Sequence, residues 1–455
     1  MLGLEINAEN FPDSNFRDYV SEYIDKDESG VLSDAERNAV TEIDIDGCDN
    51  EAYYWGIQSL EGIEHFPNLQ YLYCGSPLTT LDLSGNKKLI EVRLNNDDAG
   101  GKLTSLNVKG CTALETLSLY DNQVKSLDLS TNKSLRYLCL DGNALTSLNL
   151  EENSNLETLD VGYNKSLTSL DLRLNSKLRT LRINGSGLSS IDLRTQKALE
   201  ILQCENCGLT ALDLKNNPAL TRLYCGKNAL TKLDVSKNPA LTRLECQNNQ
   251  LSSLDVSKNA MLKYLYCGYN QLSALDLCGC PALEVLICQG NLLKTLELSD
   301  NPSLRTLYCY GNRITELPVY MCPNLVSACT DAKAYHYART ETINESQVSY
   351  MFHSYSYGSL AVDTEVKVVT ERPPVEISSL TRSGDVFTFK LTGEVPAGAK
   401  LIAAAYEIGG RMLGVKVCDD LTVGSFTFAV PEAATVKAFL VDKNHTPLCK
   451  AKTAK

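Results

Sequence analysis

The sequence has few of the residues on which enzyme active sites depend. Among its 455 residues only four are histidine, and none has a metal-binding spacing such as HExxH: His65, His336, His353 and His445. It also has no phosphate-binding loop, no GxSxG turn and no dinucleotide fingerprint. A Cys–His pair, such as Cys329 with His336 or His353, would need a third group to orient it, and the sequence offers none. We therefore predict that the protein is not an enzyme.

Long apolar runs and an excess of positive charge are also missing. No run of 18 or more apolar residues occurs, so no membrane insertion is predicted. The opening MLGLEINAEN lacks a basic region followed by an apolar stretch, which predicts that the chain as given carries no signal peptide. A cytosolic protein and a secreted one without its leader both fit this observation. The 56 acidic and 43 basic residues give a net charge of −13, which disfavours nucleic acid and anionic membrane surfaces as partners.

Cysteine, by contrast, is abundant, with seventeen residues. Six of them recur every 21 residues, each two positions after a leucine: Cys204, Cys225, Cys246, Cys267, Cys288 and Cys309. On a strand this spacing places Leu and Cys on one face, where free cysteine acts as a small buried hydrophobe. A metal stack or a disulfide ladder is the alternative, but no histidine is interleaved. Many unpaired thiols fit a reducing or anaerobic habitat, and only Cys322 with Cys329 and Cys418 with Cys449 are candidate disulfides.

The 21-residue step belongs to a longer repeat, LxxLxCxxNxLxxLDLSxNPx, which fits about twelve coils between Leu69 and Asn312. One coil cannot bury its own apolar edge, so coils stack around a shared core. The LxC half predicts a strand in a parallel sheet, and the LDLS half predicts a second short extended segment on the convex wall. Ser186 and Cys207 replace the repeated Asn in two coils, and Asp98–Lys102 is an insertion.

The repeated asparagine follows each predicted strand, where the chain turns away from the sheet. We expect its side-chain amide to bond backbone groups of neighbouring turns that would otherwise lack partners. The positions are Asn122, Asn143, Asn164, Asn228, Asn249, Asn270, Asn291 and Asn312.

These motifs resemble the bacterial leucine-rich-repeat proteins of the broad internalin-like class. The LxxLxC and LDLSxNP halves are similar to those of secreted proteins from gut anaerobes, and the resemblance covers about half of the chain. It implies a mostly β protein, a leucine-rich-repeat solenoid with a parallel concave sheet that binds proteins or other ligands. It also implies a location outside the cell or at the bacterial surface, and it names no ligand.

Four regions are predicted along the chain. Residues 1–55 form a small helical cap, 56–328 the solenoid, 329–372 its C-terminal cap and 373–455 a β-sandwich. The last region has short strand-like runs separated by turns, with a hairpin turn at Gly409-Gly410 and a linker at 371–374. It resembles the immunoglobulin-like modules of bacterial surface proteins, which mostly act as spacers.

The N-terminal cap contains DKDESGVLSDAE, which matches the calcium loop of an EF-hand, with Gly30 at its sharp turn. Ser33 and Glu36 would also form a capping box for the next helix, so a metal-free structural loop is the alternative. We expect one calcium ion that stabilises the cap and switches nothing. Its oxygen ligands would come from Asp25, Asp27, Ser29, the Val31 carbonyl, Ser33 and Glu36.

Aromatic and cationic residues recur at strand positions that face away from the core. The predicted ligand-binding set is Tyr224, Tyr264, Tyr266, Ile287, Tyr308, Tyr310, Arg222 and Arg243. Exposed tyrosines in a row are typical of binding surfaces, and they also stack on sugar rings. The alternative is cross-strand packing that only stabilises the sheet. We predict a recognition protein for a protein or surface-glycan ligand, with a passive spacer or surface-layer component as the alternative.

Overall fold

The computed structural model divides into two compact units, Met1–Val368 and Val369–Lys455, which are described separately below. No helix among the described residues is both long and apolar enough to cross a membrane. The described residues are 3–45, 56–95, 103–330, 334–337, 359–363, 366–369, 376–383, 385–392, 395, 397–406, 412–422, 424–429, 435–441 and 452–454.

A small helical cap begins the first unit. It contains β1 (Leu4–Glu5), α1 (Ser14–Tyr23), β2 (Val31–Leu32) and α2 (Asp34–Ala39), and β1 pairs antiparallel with β2. The Asp13 side chain accepts hydrogen bonds from the first amides of α1 and so fixes where that helix starts. Phe16, Tyr19 and Val20 on α1 are buried and join the core of the repeats. The cap thus covers the apolar edge that the first coil would otherwise expose.

The repeats form one parallel sheet, fifteen strands wide among the described residues. Most strands have three residues, and the middle one is a buried Leu, Val or Ile that packs in the continuous core. Along the chain the sheet takes β3 (Glu42–Asp44), β4 (Tyr71–Tyr73), β6 (Glu91–Arg93), β8 (Thr116–Ser118), β9 (Tyr137–Cys139), β10 (Thr158–Asp160), β11 (Thr180–Arg182), β12 (Ile201–Gln203), β13 (Arg222–Tyr224), β14 (Arg243–Glu245), β15 (Tyr264–Tyr266), β16 (Val285–Ile287), β17 (Thr306–Tyr308), β19 (Ala334–Tyr337) and β20 (Ser359–Asp363). β20 lies between β17 and β19.

The convex wall has little regular secondary structure among the described residues. One strand pair lies there, β5 (Thr80–Asp82) with β7 (Ser105–Asn107), and a second pair, β18 (Glu316–Pro318) with β21 (Lys367–Val369), follows the last coil. In the described coils between these pairs the LDLS segments form no hydrogen-bonded strand. The Asp of the motif accepts the amide two residues later, as Asp234 does from Ser236 at 2.9 Å, and this turn ends the extended segment. After the N-terminal cap, the described helices are a 3₁₀ turn at Ile63–His65 and α3 at Pro323–Thr330.

The predicted asparagine ladder is confirmed. In a typical coil the Asn249 Oδ1 accepts the Leu230 amide at 3.0 Å. Its Nδ2 donates to the Cys225 carbonyl at 3.0 Å and to the Cys246 carbonyl at 3.1 Å. Each such amide therefore bonds its own coil and the one before it, which satisfies backbone groups that the sheet leaves unpaired.

A second ladder stands at the asparagine of the LSxN segment. Nδ2 of Asn238 donates to the Leu214 carbonyl at 3.1 Å and the Asn217 carbonyl at 2.8 Å, while its buried Oδ1 has no partner. Cys280 takes this position in one coil, where its Sγ donates to the Val256 carbonyl at 3.4 Å. The ladder comprises Asn86, Asn132, Asn153, Asn175, Asn217, Asn238, Asn259 and Asn301, with Cys111, Gln196, Cys280 and Cys322 in the remaining coils.

The six repeating cysteines are buried in the solenoid core as free thiols. Burial raises the pKa of these thiols, and that of Cys246 lies well above the usual value for cysteine. The thiols are therefore protonated and unreactive. Cys322 is also a free thiol, so the candidate disulfide with Cys329 is not formed: the Cys322 Sγ donates instead to the Asn301 carbonyl at 3.3 Å. Cys418 is likewise free, and Cys449 lies outside the described residues.

The second unit consists of two antiparallel sheets, consistent with the predicted β-sandwich. Its core contains Phe387, Phe426, Leu401, Val436 and Leu440. The hairpin turn at Gly409-Gly410 and the linker at 371–374 lie outside the described residues. One sheet has β22 (Glu376–Ser383), β23 (Val386–Thr392) and β26 (Ser425–Thr427); the other has the order β25 (Met412–Cys418), β24 (Lys400–Tyr406), β27 (Thr435–Val441) and β28 (Lys452–Ala454).

Candidate functional site

The concave face carries two parallel rows of side chains that cross β13, β14 and β15. Strand register aligns Arg222, Arg243 and Tyr264 in one row. Tyr224, Glu245 and Tyr266 form the other row. Because neighbouring strands lie about 4.8 Å apart, six side chains of mixed chemistry occupy a small area.

Arg243 is the centre of this area. Its guanidinium carbon lies 5.6 Å from the ring centroid of Tyr224, 5.3 Å from that of Tyr264 and 4.9 Å from that of Tyr266. Its Nε donates to the Glu245 carboxylate at 2.6 Å. Burial opposes the charge on Arg243, but the carboxylate of Glu245 and the surrounding tyrosines raise its pKa overall. The three rings and the carboxylate therefore hold the cation in place, as a preorganised surface requires.

Part of the predicted surface is not exposed, which corrects the sequence interpretation. Tyr266 is only 3% exposed, Ile287 1%, and Tyr308 and Tyr310 8% each. These side chains pack with Val285 and the small Ala361 of β20 into a separate apolar cluster, with Tyr264 partly buried against it. The aromatic residues of the last coils thus pack across strands, which is the alternative to an exposed binding surface that the sequence left open. Their role in ligand binding stays a prediction.

The accessible residues of the predicted set lie on β13, β14 and β15, before the coils that contain Ile287 and Tyr308. Arg222 is exposed, and Tyr224, Arg243 and Tyr264 are partly buried. Together they give an aromatic and cationic surface, which we call the β13–β15 patch. This patch can contact a ligand without unfolding any part of the sheet.

A group of polar side chains lies on the concave face further towards the N-terminus. Cys139 faces the concave side beside Asp160 and is only 6% exposed, outside the cysteine ladder of the core. Burial, then repulsion from Asp160, raises the pKa of Asp141 to about 6. The Arg182 guanidinium lies 3.9 Å from the Asp160 carboxylate. Strand alternation at Tyr137–Cys139 is the signal that would have placed Cys139 on this face.

The EF-hand-like loop brings three carboxylates together. One oxygen each of Asp25, Asp27 and Glu36 lies within 4.8 Å of the other two. Asp25 is buried and accepts the Gly30 amide at 2.8 Å, and Gly30 has the left-handed φ of +73° that its turn requires. A hydrogen bond from Ser29 lowers the pKa of Asp27, so this carboxylate is charged at neutral pH. The donor set is the one that a hard cation prefers.

The remaining predicted calcium ligands take part in local hydrogen bonds. Ser29 Oγ donates to the Val31 carbonyl at 3.0 Å. Ser33 and Glu36 form the expected capping box of α2, and this bonding lowers the pKa of Glu36. All six oxygens thus lie along one loop, and a bound cation would compete with the capping box for Glu36.

One histidine side chain, that of His65, lies in the part of the chain that the structure describes. His65 lies in the 3₁₀ turn, with its ring 5.7 Å from that of Phe11. His353 and His445 fall outside the described residues, as do the side chains of Cys329 and His336. The described residues therefore do not test the expectation that Cys329 forms no catalytic pair with His336 or His353.

Comparison with known proteins supports the fold. No protein-family model matches the chain, and neither does any curated protein. The functional domain of InlJ from Listeria monocytogenes, which includes a cysteine ladder, is 24% identical with a TM-score of 0.63, covering 100% of this chain and 98% of that one. The leucine-rich-repeat domain of APL1B is 19% identical with a TM-score of 0.46, covering 59% of this chain and 82% of that one. Internalin C2 from Listeria monocytogenes is 17% identical with a TM-score of 0.19, covering 69% of this chain and 90% of that one. The chain is a leucine-rich-repeat solenoid of internalin-like fold.

Proposed function

We propose that this protein is a non-catalytic recognition protein that binds its ligand on the β13–β15 patch. The observation that carries the proposal is Arg243, held among Tyr224, Tyr264 and Tyr266 and paired with Glu245. Tyr and Arg are the side chains most enriched at binding hot spots, and a preorganised side chain loses little entropy on binding. The exposed Arg222 adds a cation beside the aromatic rings.

The ligand we favour is a protein. The patch alternates positive, negative and aromatic side chains, which suits the mixed surface of a protein partner. A surface glycan is the second candidate, because Tyr224 and Tyr264 can stack on sugar rings. We place the protein outside the cell or at a bacterial surface, on the resemblance of its repeats to the internalin-like class. The second unit would be an immunoglobulin-like spacer.

A binding screen against extracellular proteins and glycans tests the site. We expect the combined variant Arg222→Glu, Tyr224→Ala to weaken binding to any ligand found by about a hundredfold, since two hot-spot contacts are lost. Neither residue is fully buried, so the fold should be kept. Affinity would be measured by surface plasmon resonance, with circular dichroism to confirm folding.

The matched control is Tyr163→Ala, Arg173→Glu, which changes the same two residue types outside the concave strands. Tyr163 is exposed after β10, and Arg173 is exposed on the convex wall. The control should bind like the unmodified protein. If the patch variant bound the ligand with full affinity, the binding site would lie elsewhere on the protein. If the folded protein bound no ligand in the screen, the passive spacer would be favoured.

We propose further that Asp25, Asp27, Ser29, Val31, Ser33 and Glu36 hold one calcium ion in the N-terminal cap. The three converging carboxylates and the left-handed Gly30 support this. β2 contains Val31 and pairs with β1, so the loop is braced by the N-terminal strand. The ion would join α1 to α2 and stabilise the end of the solenoid.

Calcium should therefore raise the thermal midpoint of the chelator-treated protein. At a calcium concentration a hundred times the dissociation constant, the stabilisation is about 2.7 kcal/mol. Calorimetry with and without calcium measures it. Glu36→Gln should abolish the shift, whereas Glu28→Gln, on an exposed loop residue outside the proposed ligand set, should keep it. An unchanged midpoint for the unmodified protein would show a metal-free structural loop.

A further inference from the structure

The second unit has one edge strand that lacks the usual protection against pairing. β25 is seven residues long and pairs only with β24 among the described strands. Its alternate residues Leu413, Val415 and Val417 are 38%, 50% and 44% exposed. Natural edge strands are normally short, charged or interrupted by proline, because free backbone groups invite another strand. β25 carries one charge, Lys416, and no proline.

The other edges of this unit follow the usual rule. β26 and β28 have three residues each, too short for extensive pairing. β22 is long, but Glu376 and Arg382 place charges on it, and Ser and Thr occupy most other positions. Among the described residues of this unit, every exposed large hydrophobic side chain lies on β25 except Val386, the first residue of β23. An edge that keeps apolar side chains in water has a use in contact with another strand.

We propose that β25 pairs with β25 of a second copy of this chain, antiparallel and centred on Val415. The apolar residues Leu413 and Val417 stand symmetrically about Val415, with the unlike pair Gly414 and Lys416 between them. In that register Val415 meets its own copy, and Leu413 meets Val417. The two exposed stripes then form one apolar surface of six side chains on a continuous sheet.

Charge favours this register over its neighbours. Lys416 of one copy lies opposite Gly414 of the other, so the two lysines do not face each other. A shift that placed Lys416 opposite itself would bring like charges together, which destabilises strand pairs. The two-fold symmetric contact is also the commonest arrangement of homo-oligomers. The strand therefore fits a copy of itself, and the pairing closes at two molecules.

Sedimentation equilibrium of the full chain, from roughly 1 to 100 µM, tests the proposal. We expect a reversible dimer that Val415→Lys weakens by roughly tenfold or more, because the new charge enters the contact twice. Val386→Lys is the control: it changes a valine of β23 that is 45% exposed and outside the edge. A chain that is monomeric throughout, or a dimer that Val415→Lys leaves intact, overturns the proposal. A chain that stays monomeric would mean that β25 pairs, if at all, with a strand of another protein.

Cross-linking tests the register without weakening the contact. In a background with the exposed Cys278 and the partly exposed Cys418 replaced by serine, Val415→Cys should form a disulfide-linked dimer, since the two residues face each other at strand spacing. Lys416→Cys should not, because its opposite residue is Gly414. Non-reducing gel electrophoresis compares the two. Equal linking through both positions, or through neither, contradicts the register.

Discussion

Replacing Asn249 by alanine is expected to lower the free energy of unfolding by about 3 kcal/mol. The substitution leaves the Leu230 amide and the Cys225 and Cys246 carbonyls without their side-chain partner. These groups are buried between coils, where water cannot replace the lost bonds. Urea unfolding followed by circular dichroism measures the loss. Because each coil contacts only its neighbours, the break should also reduce the cooperativity of unfolding.

The second ladder provides the control. Asn238→Cys should lower stability by less than about 1 kcal/mol, because a thiol still donates to the carbonyls and the partnerless Oδ1 is removed. Cys280 and Cys322 already occupy the equivalent position in their own coils. Equal losses for Asn249→Ala and Asn238→Cys would mean that hydrogen bonding does not distinguish the two ladders.

Cys246→Ser is expected to lower the free energy of unfolding by about 2 kcal/mol, although serine differs by one atom. Cys246 is fully buried among leucines, and burial raises the pKa of its thiol well above the usual value. A hydroxyl placed there loses its hydration and gains no comparable partner. Chemical unfolding at fixed pH and temperature would measure the change.

The apolar substitution distinguishes packing from thiol chemistry. Cys246→Val should cost less than about 1 kcal/mol, because Val161 and Ile183 occupy the same position in other coils. If the thiol instead served a metal or a disulfide, valine would be as harmful as serine. That result would replace the packing account of the ladder.

The repeat made most of the solenoid predictable from the sequence. A pattern with Leu and Cys two residues apart determines which face of each strand is buried, and stacking of equal coils determines the register. The ladder Asn249 could be placed because it follows the strand directly. The second ladder was missed because its asparagine lies in a turn with no periodic strand beside it. Asn238 shows its role only through contacts with the coil before it.

The state of the concave aromatic residues could not be predicted from the repeat. Alternation shows that Tyr266 and Tyr308 face away from the core, but not whether other side chains cover them. β20 has no repeat motif, yet it extends the sheet beyond β17 and places Ala361 beside Tyr308. Strand alternation therefore showed which side chains point away from the core, while contacts distant in the chain decided which of them are accessible.

Side-chain footprinting of the first complex found by the binding screen tests the recognition site most directly. Hydroxyl-radical oxidation of tyrosines would be compared with and without the ligand. Our account predicts that Tyr224 and Tyr264 become less reactive on binding, while the exposed Tyr163 and Tyr269 keep their reactivity. Protection of Tyr163 or Tyr269, with Tyr224 and Tyr264 unchanged, would contradict recognition by the concave face.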